Sequence, residues 1–490
     1  MNKESNEKYY EDDEDVVEQD QPQTSKNASR NDYFQDRSDF KQLRYQKQYR
    51  TNDSWSSKKI ITTRYEREIE ATKKPSRPRR HWQLTPLGEQ IQKIKFTPDS
   101  KFYDSFQFKI ASYNLLAQDL LEDNFYLYEN LNKKYLSWDY RKHNILEEIK
   151  KLNAHIYCFQ EMQASDYENF FRKKLNNMGL ESVYKKRYGD KPDGCCIAFR
   201  KVSFEIVKHV DVDYFVPGVE ILNRENVGII MLLKHKAKKS DDKPKFLCVA
   251  TTHILYNPKR GDCKLAQLQV LLANLDRVAY KNSKIQENKL VAEYHATLLC
   301  GDFNLSNQSD LYNFMRTSKL EDYKNLSRNN LSGQKMDNSS FVPIGCTILP
   351  ERLGISDQCQ FKQEVDSRYI QTLLNKSADH NIHIDCTFGC NTLTHCFKFK
   401  STYEHYDNDG IPEITTCVLD CHKSVDFIFY HSDNLESKGE ECEDFVDNLT
   451  NLNQLARLEL FNENFCKDLY LPNKFYSSDH FMIAGKFLLT

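Results

Sequence analysis

From Phe108 onward, short runs rich in β-branched and aromatic residues alternate with helical runs, and several of the β-type runs end in a polar residue. That alternation restricts the chain to a layered α/β architecture, with polar strand ends gathered along one edge. Strands are predicted at Phe108–Tyr113, Ile156–Gln160, Cys195–Phe199, Val227–Leu233, Phe246–Thr252, Thr297–Cys300, Val425–Tyr430 and Phe481–Leu488. An amphipathic helix is predicted over Trp138–Leu152, with Ile145, Leu146, Ile149 and Leu152 on one face, and others near Lys264–Ala279 and Asp310–Met315. Between Leu320 and His422 the period fades into polar, Cys- and His-rich sequence, which reads as long loops inserted at the side of the domain.

The first 100 residues differ. Their few apolar residues keep no period, and they pass from an acidic block (Glu11 to Asp20) to a basic, proline-punctuated one (Lys73 to His81). Such a segment cannot offset its ordering entropy and is expected to be a disordered arm, removable up to residue 95 without loss of the domain at 108–490. The basic block reads as a solvated linker, an RNA contact or a nuclear signal. With 69 basic and 71 acidic side chains the net charge is −2, so polyanion binding has to be local rather than a property of the whole surface. No apolar run suits a signal or membrane-spanning helix, and the 15 cysteines lie mainly in apolar stretches, as reduced thiols do. A reducing cytoplasmic or nuclear location, with no membrane partner, is the expectation.

Polar groups at the strand ends carry the chemistry. Asn114 follows FKIASY, Glu161 follows IYCFQ, His253 follows CVATT, Asp302 and Asn304 lie in LLCGDFN, Asp426 opens DFIFY, and Asp479 and His480 close SSDH. Each alone reads equally well as a turn, cap or strand-end residue. Together they supply what metal-assisted phosphoester hydrolysis needs. Glu161 and Asp479 offer hard oxygen ligands, with Asn114 holding Glu161. Asp302 is placed as the base for water, Asn304 as a donor to a nonbridging oxygen, His480 as an imidazolium kept protonated by Asp426, and His253 as a second imidazole donor. A Ser478–His480–Asp426 triad would leave Glu161 and the GDFN cluster without a role.

These motifs, Gln160–Glu161, Thr252–His253, GDFN at 301–304, VDFIF at 425–429 and SDH at 478–480, resemble the endonuclease/exonuclease/phosphatase superfamily. The longer strings SYNLLAQDLLEDN, SWDYRKHNILEEI, KPDGC, NRENVG, LYNPKRGD and GIPEITTC resemble the angel proteins, in the deadenylase- and nocturnin-like branch. The resemblance covers Phe108 to the C-terminus. It implies a four-layer α/β sandwich, two packed mixed sheets flanked by helices, and a site for one or two Mg²⁺ ions, with Mn²⁺ as a substitute. Deadenylases of that branch stack the terminal adenine on a phenylalanine five residues before the Asp of the VDFIF-type motif. Cys421 stands there in this chain, and a thiol offers little stacking surface. The resemblance to angel proteins therefore implies hydrolysis of 2′,3′-cyclic phosphate at RNA 3′ ends, mRNA or tRNA in type. A 3′-to-5′ exoribonuclease or deadenylase on the same site, and a noncatalytic RNA-binding regulator, are the alternatives.

For the substrate side, Asn257, Pro258, Lys259, Arg260 and Lys264 near His253, together with Arg224 and Asn226 in NRENVG, are candidates. The cluster His380, His383, Cys386, Cys390, His395, Cys396, Cys417, Cys421 and His422 lacks the paired spacing of a zinc finger and reads as partly buried thiols. The arm carries no Tyr-x₄-Leu-hydrophobic motif of the kind that docks on the cap-binding initiation factor, so no protein partner is indicated.

Overall fold

Runs that are apolar at every position rather than every second one need cover on both faces, and such runs form the centres of two sheets. The computed structural model describes residues 77–94, 104–236, 243–334, 340–375, 383–419, 421–432 and 449–490. In chain order the main elements are β1 (Trp82–Leu84), α1 (Pro86–Lys93), β2 (Phe106–Asn114), α2 (Trp138–Leu152), β3 (Ile156–Gln163), β4 (Leu180–Lys186), β5 (Asp193–Arg200), β6 (Phe204–Asp213), β7 (Val227–His235) and β8 (Phe246–His253). They continue with α3 (Gly261–Ala279), β9 (Ala296–Asp302), α4 (Asp310–Thr317), α5 (Lys362–Asn375), β10 (Lys400–Ser401), β11 (Asp426–His431), β12 (Leu452–Leu458) and β13 (Ile483–Leu489).

One sheet has seven strands in the order β1-β12-β13-β2-β3-β5-β4, the other six in the order β10-β11-β9-β8-β7-β6. The pairs β2/β3 and β8/β9 are parallel and their neighbours antiparallel, so both sheets are mixed. Alternate residues of the two sheets meet in the middle: Ile110, Cys158 and Ile197 from one pack with Ile229, Val249, Leu298 and Ile428 from the other. On the outer face of the first sheet Tyr113, Tyr157 and Phe159 pack with Ile145 and Ile149 of α2. On the outer face of the second, Ala250, Leu299 and Phe427 share a core with Leu268, Leu271 and Leu272 of α3. Helix, sheet, sheet and helix give the expected four layers.

Two expectations need correction. The basic block is not a bare linker where it is described. Arg77 pairs with Glu148 at 2.8 Å and lies 4.4 Å over the Tyr476 ring, while Arg80 donates to the carbonyls of Glu459 and Met482. Trp82–Leu84 adds to the sheet edge against Leu458–Ala456. Thr85 caps α1 by accepting from the Gly88 N–H at 3.0 Å, and Ile91 is buried with Leu455 and Leu488. The segment 77–94 thus belongs to the domain; the earlier arm, residues 1–76, lies outside the described residues. The stretch 320–422 is also more than loops. It contains the helix α5, and Leu393, Phe397 and Phe399 enter the core beside α3. No described helix is long and apolar enough to cross a membrane.

Candidate active site

The C-terminal ends of β2, β3, β8 and β9 lie at one edge of the sandwich, and β11 begins there because it runs antiparallel to β9. Register places Asp302 opposite both His253 and Asp426. Gly301 makes this approach possible, since its backbone has φ +153 and a Cβ there would stand 2.1 Å from the Thr252 carbonyl oxygen. Glu161 sits in a bulge of β3 between Phe159 and Met162 with φ +53, which turns its side chain toward the second sheet. Asn304 is also left-handed, at φ +49. Asparagine adopts this region readily, whereas for Glu161 it is disfavoured, a cost of about 1–2 kcal/mol that surrounding bonds have to offset.

Those bonds are present. The Asn114 amide donates to Glu161 Oε1 at 2.8 Å and to Asp302 Oδ2 at 3.0 Å, tying the two sheets together. The Ala117 N–H donates to Glu161 Oε2 at 3.2 Å, and the Asn304 N–H to Asp302 Oδ1 at 3.0 Å. His480 Nδ1 lies 2.8 Å from Asp426 Oδ2, and its Nε2 lies 3.8 Å from Asp302 Oδ2. His253 Nε2 is 3.6 Å from Asp302 Oδ2, and its buried Nδ1 faces Glu161 Oε1 at 4.0 Å with no hydrogen-bond partner.

The electrostatics follow from burying several carboxylates around few cations. Burial, reinforced by Asp479 and Asp193, pushes Glu161 up to about 7. Burial pushes Asp302 up to about 6 against the pull of His253. His253 is lowered by burial. Burial opposes the charged form of His480 too, but Asp426, Asp479 and Asp302 outweigh it and hold the imidazole well above its usual range. Ligand atoms of Glu161, His253 and Asp302, and those of Asp302, Asp426 and His480, lie within 4.8 Å of one another. Crowded hard oxygens and an orphaned buried imidazole nitrogen fit a divalent cation.

Most of the expected site therefore comes together: Asn114, Glu161, His253, Asp302, Asn304, Asp426 and His480. Asp479 differs from expectation. Its Oδ2 accepts from the Tyr128 hydroxyl at 2.8 Å, and it is absent from both groups of ligand atoms. Asn304 donates to the Ile254 carbonyl at 3.0 Å and approaches His253 Nε2 at 3.2 Å, so a phosphate oxygen would compete with His253 for its second N–H. The Ser478 hydroxyl donates to the Asn114 carbonyl at 2.7 Å, which removes the triad reading.

The substrate candidates divide. Asn226 is buried and donates to the His253 carbonyl at 3.1 Å, while Lys264 is fully buried and binds the Asn304 carbonyl and Gln334; both hold backbone at this edge rather than facing solvent. Asn257, Pro258, Lys259 and Arg260 form the half-buried loop beside His253, where Arg260 pairs with Asp262 at 3.0 Å. The Arg224 guanidinium donates to the Asn223 side chain at 2.7 Å. In the Cys/His-rich stretch, His380 lies outside the described residues, and no group of three metal-ligand types forms among the described ones.

Supporting residues were missed. Arg141 of α2, fully buried, donates to the carbonyls of Leu115, Leu116 and Ser477 and to Gln118, fixing the loop that carries Ala117 and the segment before Asp479. Its signal was its place on the helix face of Ile145, Ile149 and Leu152, where a cation needs a buried partner.

Comparison with known proteins agrees with this geometry. Residues 111–480 match the Endonuclease/Exonuclease/phosphatase family. Protein angel homolog 2 of Homo sapiens is 37% identical over 406 residues, covering 80% of this chain and 71% of that protein. Protein angel homolog 1 of Mus musculus is 32% identical over 431 residues, covering 78% and 63%. A crystal structure of ANGEL2, described as a 2′,3′-cyclic phosphatase, in complex with adenosine-2′,3′-vanadate superposes with TM-score 0.65 at 34% identity, over 84% of this chain and 99% of that one.

Proposed function

Because the chain belongs to the endonuclease/exonuclease/phosphatase family, and within it to the angel proteins, we propose that it is a Mg²⁺-dependent phosphoesterase that removes 2′,3′-cyclic phosphate from RNA 3′ ends, leaving hydroxyls. The observation that carries this reading is the Glu161–Asn114–Asp302–His480–Asp426 chain of contacts across the two sheets, set beside the likeness to a 2′,3′-cyclic phosphatase. Glu161, with Asp302 and His253 close by, would hold the metal, which when bound supplies Lewis-acid polarisation of phosphate and water.

The protein's own groups do the rest. Asp302 accepts the proton of the attacking water, and Asn304 holds its carboxylate in place through the backbone N–H. His480, charged and oriented by Asp426, donates to a nonbridging oxygen as charge develops there. The first water opens the ring by breaking one P–O bond to ribose, and the ribose oxygen takes a proton. A second water breaks the remaining P–O bond and releases inorganic phosphate. Terminal phosphate lies at a chain end, so the site needs no platform for a 3′-terminal adenine, consistent with a thiol, the exposed Cys421, at the position five residues before Asp426. Phosphate release from such an RNA in Mg²⁺, lost with chelator and in Glu161→Ala, is the expected outcome. Release by the variant equal to wild type would overturn the assignment.

A further inference from the structure

The end of β4 and the loop after it read KKRYGDK, four cations around one tyrosine, a composition suited to a polyanion with flat bases. The loop lies on the catalytic edge. Asp193, just past it, is in register with Gln163, two residues beyond Glu161. A loop from the other sheet meets it there: Phe215 lies two residues past Asp213, the last residue of β6, while the adjacent strand β7 places Gly228 opposite Thr252, the residue before His253. Tyr214 turns inward to bond Thr252 Oγ1 at 2.7 Å.

The two loops are joined across the sandwich by Lys185 and Asp213 at 2.8 Å, and by the rings of Tyr188 and Phe215, stacked at 4.6 Å with 17° between planes. Tyr188 remains 55% exposed, so the fold gains little by presenting it. Beside it Arg187 is anchored on Asp193 at 3.2 Å. We propose that Tyr188 and Phe215 form a stacking platform for a nucleobase of the RNA strand whose 3′ end enters the site. This rests on the RNA-end reading above. Phe215 fixes the tilt of Tyr188, and the neighbouring cations favour the phosphates on either side of the stacked base.

The test is binding of the full chain, with chelator in place of Mg²⁺ so that the cyclic end is not hydrolysed, to a fluorescent RNA ending in 2′,3′-cyclic phosphate, read by anisotropy across a salt series. Tyr188→Ala is expected to weaken binding about 5- to 100-fold with an unchanged salt slope, and Tyr188→Phe to bind as wild type. Phe215→Ala, checked by its melting transition, is expected to weaken binding in the same sense. Wild-type binding by Tyr188→Ala, or equal weakening by Tyr188→Phe, would overturn the platform. Because anisotropy needs no turnover, absence of phosphate release by the wild-type chain would sink the enzymatic reading while leaving the binding comparison decisive for the platform.

Discussion

Replacing Arg141 with Met keeps the apolar stem of the side chain and removes the guanidinium. The loss would leave the carbonyls of Leu115, Leu116 and Ser477 and the Gln118 amide oxygen without the donors they now have. An unsatisfied buried acceptor costs about 1–3 kcal/mol, and with partial relaxation the four together are expected to cost roughly 3–5 kcal/mol of unfolding free energy, measured by denaturant titration. The second consequence is functional. Leu115 and Leu116 lead into Ala117, whose N–H holds Glu161 Oε2, and supports of this kind are worth about 10- to 100-fold in metal affinity. The Mg²⁺ concentration for half-maximal phosphate release should rise by that factor. Arg141→Lys, which cannot fork to two carbonyls, should recover only part of either effect. An Arg141→Met protein of reduced stability with an unaltered Mg²⁺ requirement would refute the positioning role and leave Arg141 as a core strut.

Removing residues 1–76 should leave the melting transition and activity unchanged, whereas removal through residue 95 should lower both, because Glu148 loses Arg77 and Leu488 loses Ile91; equal behaviour of the two truncations would contradict this. His480→Ala should lower kcat by about 10²–10⁴ with RNA affinity largely retained, and undiminished turnover would remove His480 from the reaction. Burial lowers His395 and His431 to about 4. Their folded pKa values lie below the unfolded ~6.5, so the unfolded state binds more protons between the two, and stability present above pH ~6.5 is lost as pH falls toward ~4. Unfolding at pH 7 and pH 5 should differ by up to about 2 kcal/mol per buried histidine, and no loss would show that these imidazoles are hydrated in the native state.

Most inner strands were legible because their residues are apolar on both faces, and α2 because its apolar positions repeat at helical spacing; β12 was missed although it lies between β1 and β13, because polar residues interrupt its sequence LNQLARL. The polar residues at the ends of those strands located the site for the same reason. Edge strands escaped: β4 and β6 are half exposed, so sequences such as ESVYKK and EIVKHVDVD carry charge where a central strand would not. Helix α1 escaped although Thr85 and Pro86 form a readable start, because only two apolar residues, Leu87 and Ile91, mark its face. Arg77, Glu148 and Lys264 could not be assigned from composition, since a charge reads as solvated until its buried partner is known. Asp479 shows the converse limit: its proximity to His480 in sequence does not reveal that Tyr128 claims its carboxylate.

The most direct measurement incubates the purified full chain with Mg²⁺ and two labelled RNAs, one ending in 2′,3′-cyclic phosphate and one in a poly(A) tail with a 3′-hydroxyl, with Glu161→Ala alongside. Loss of the terminal phosphate without shortening, and an intact poly(A) tail, is the predicted result. Stepwise shortening of the tail with the cyclic end untouched would contradict the account and make the chain a 3′ exonuclease.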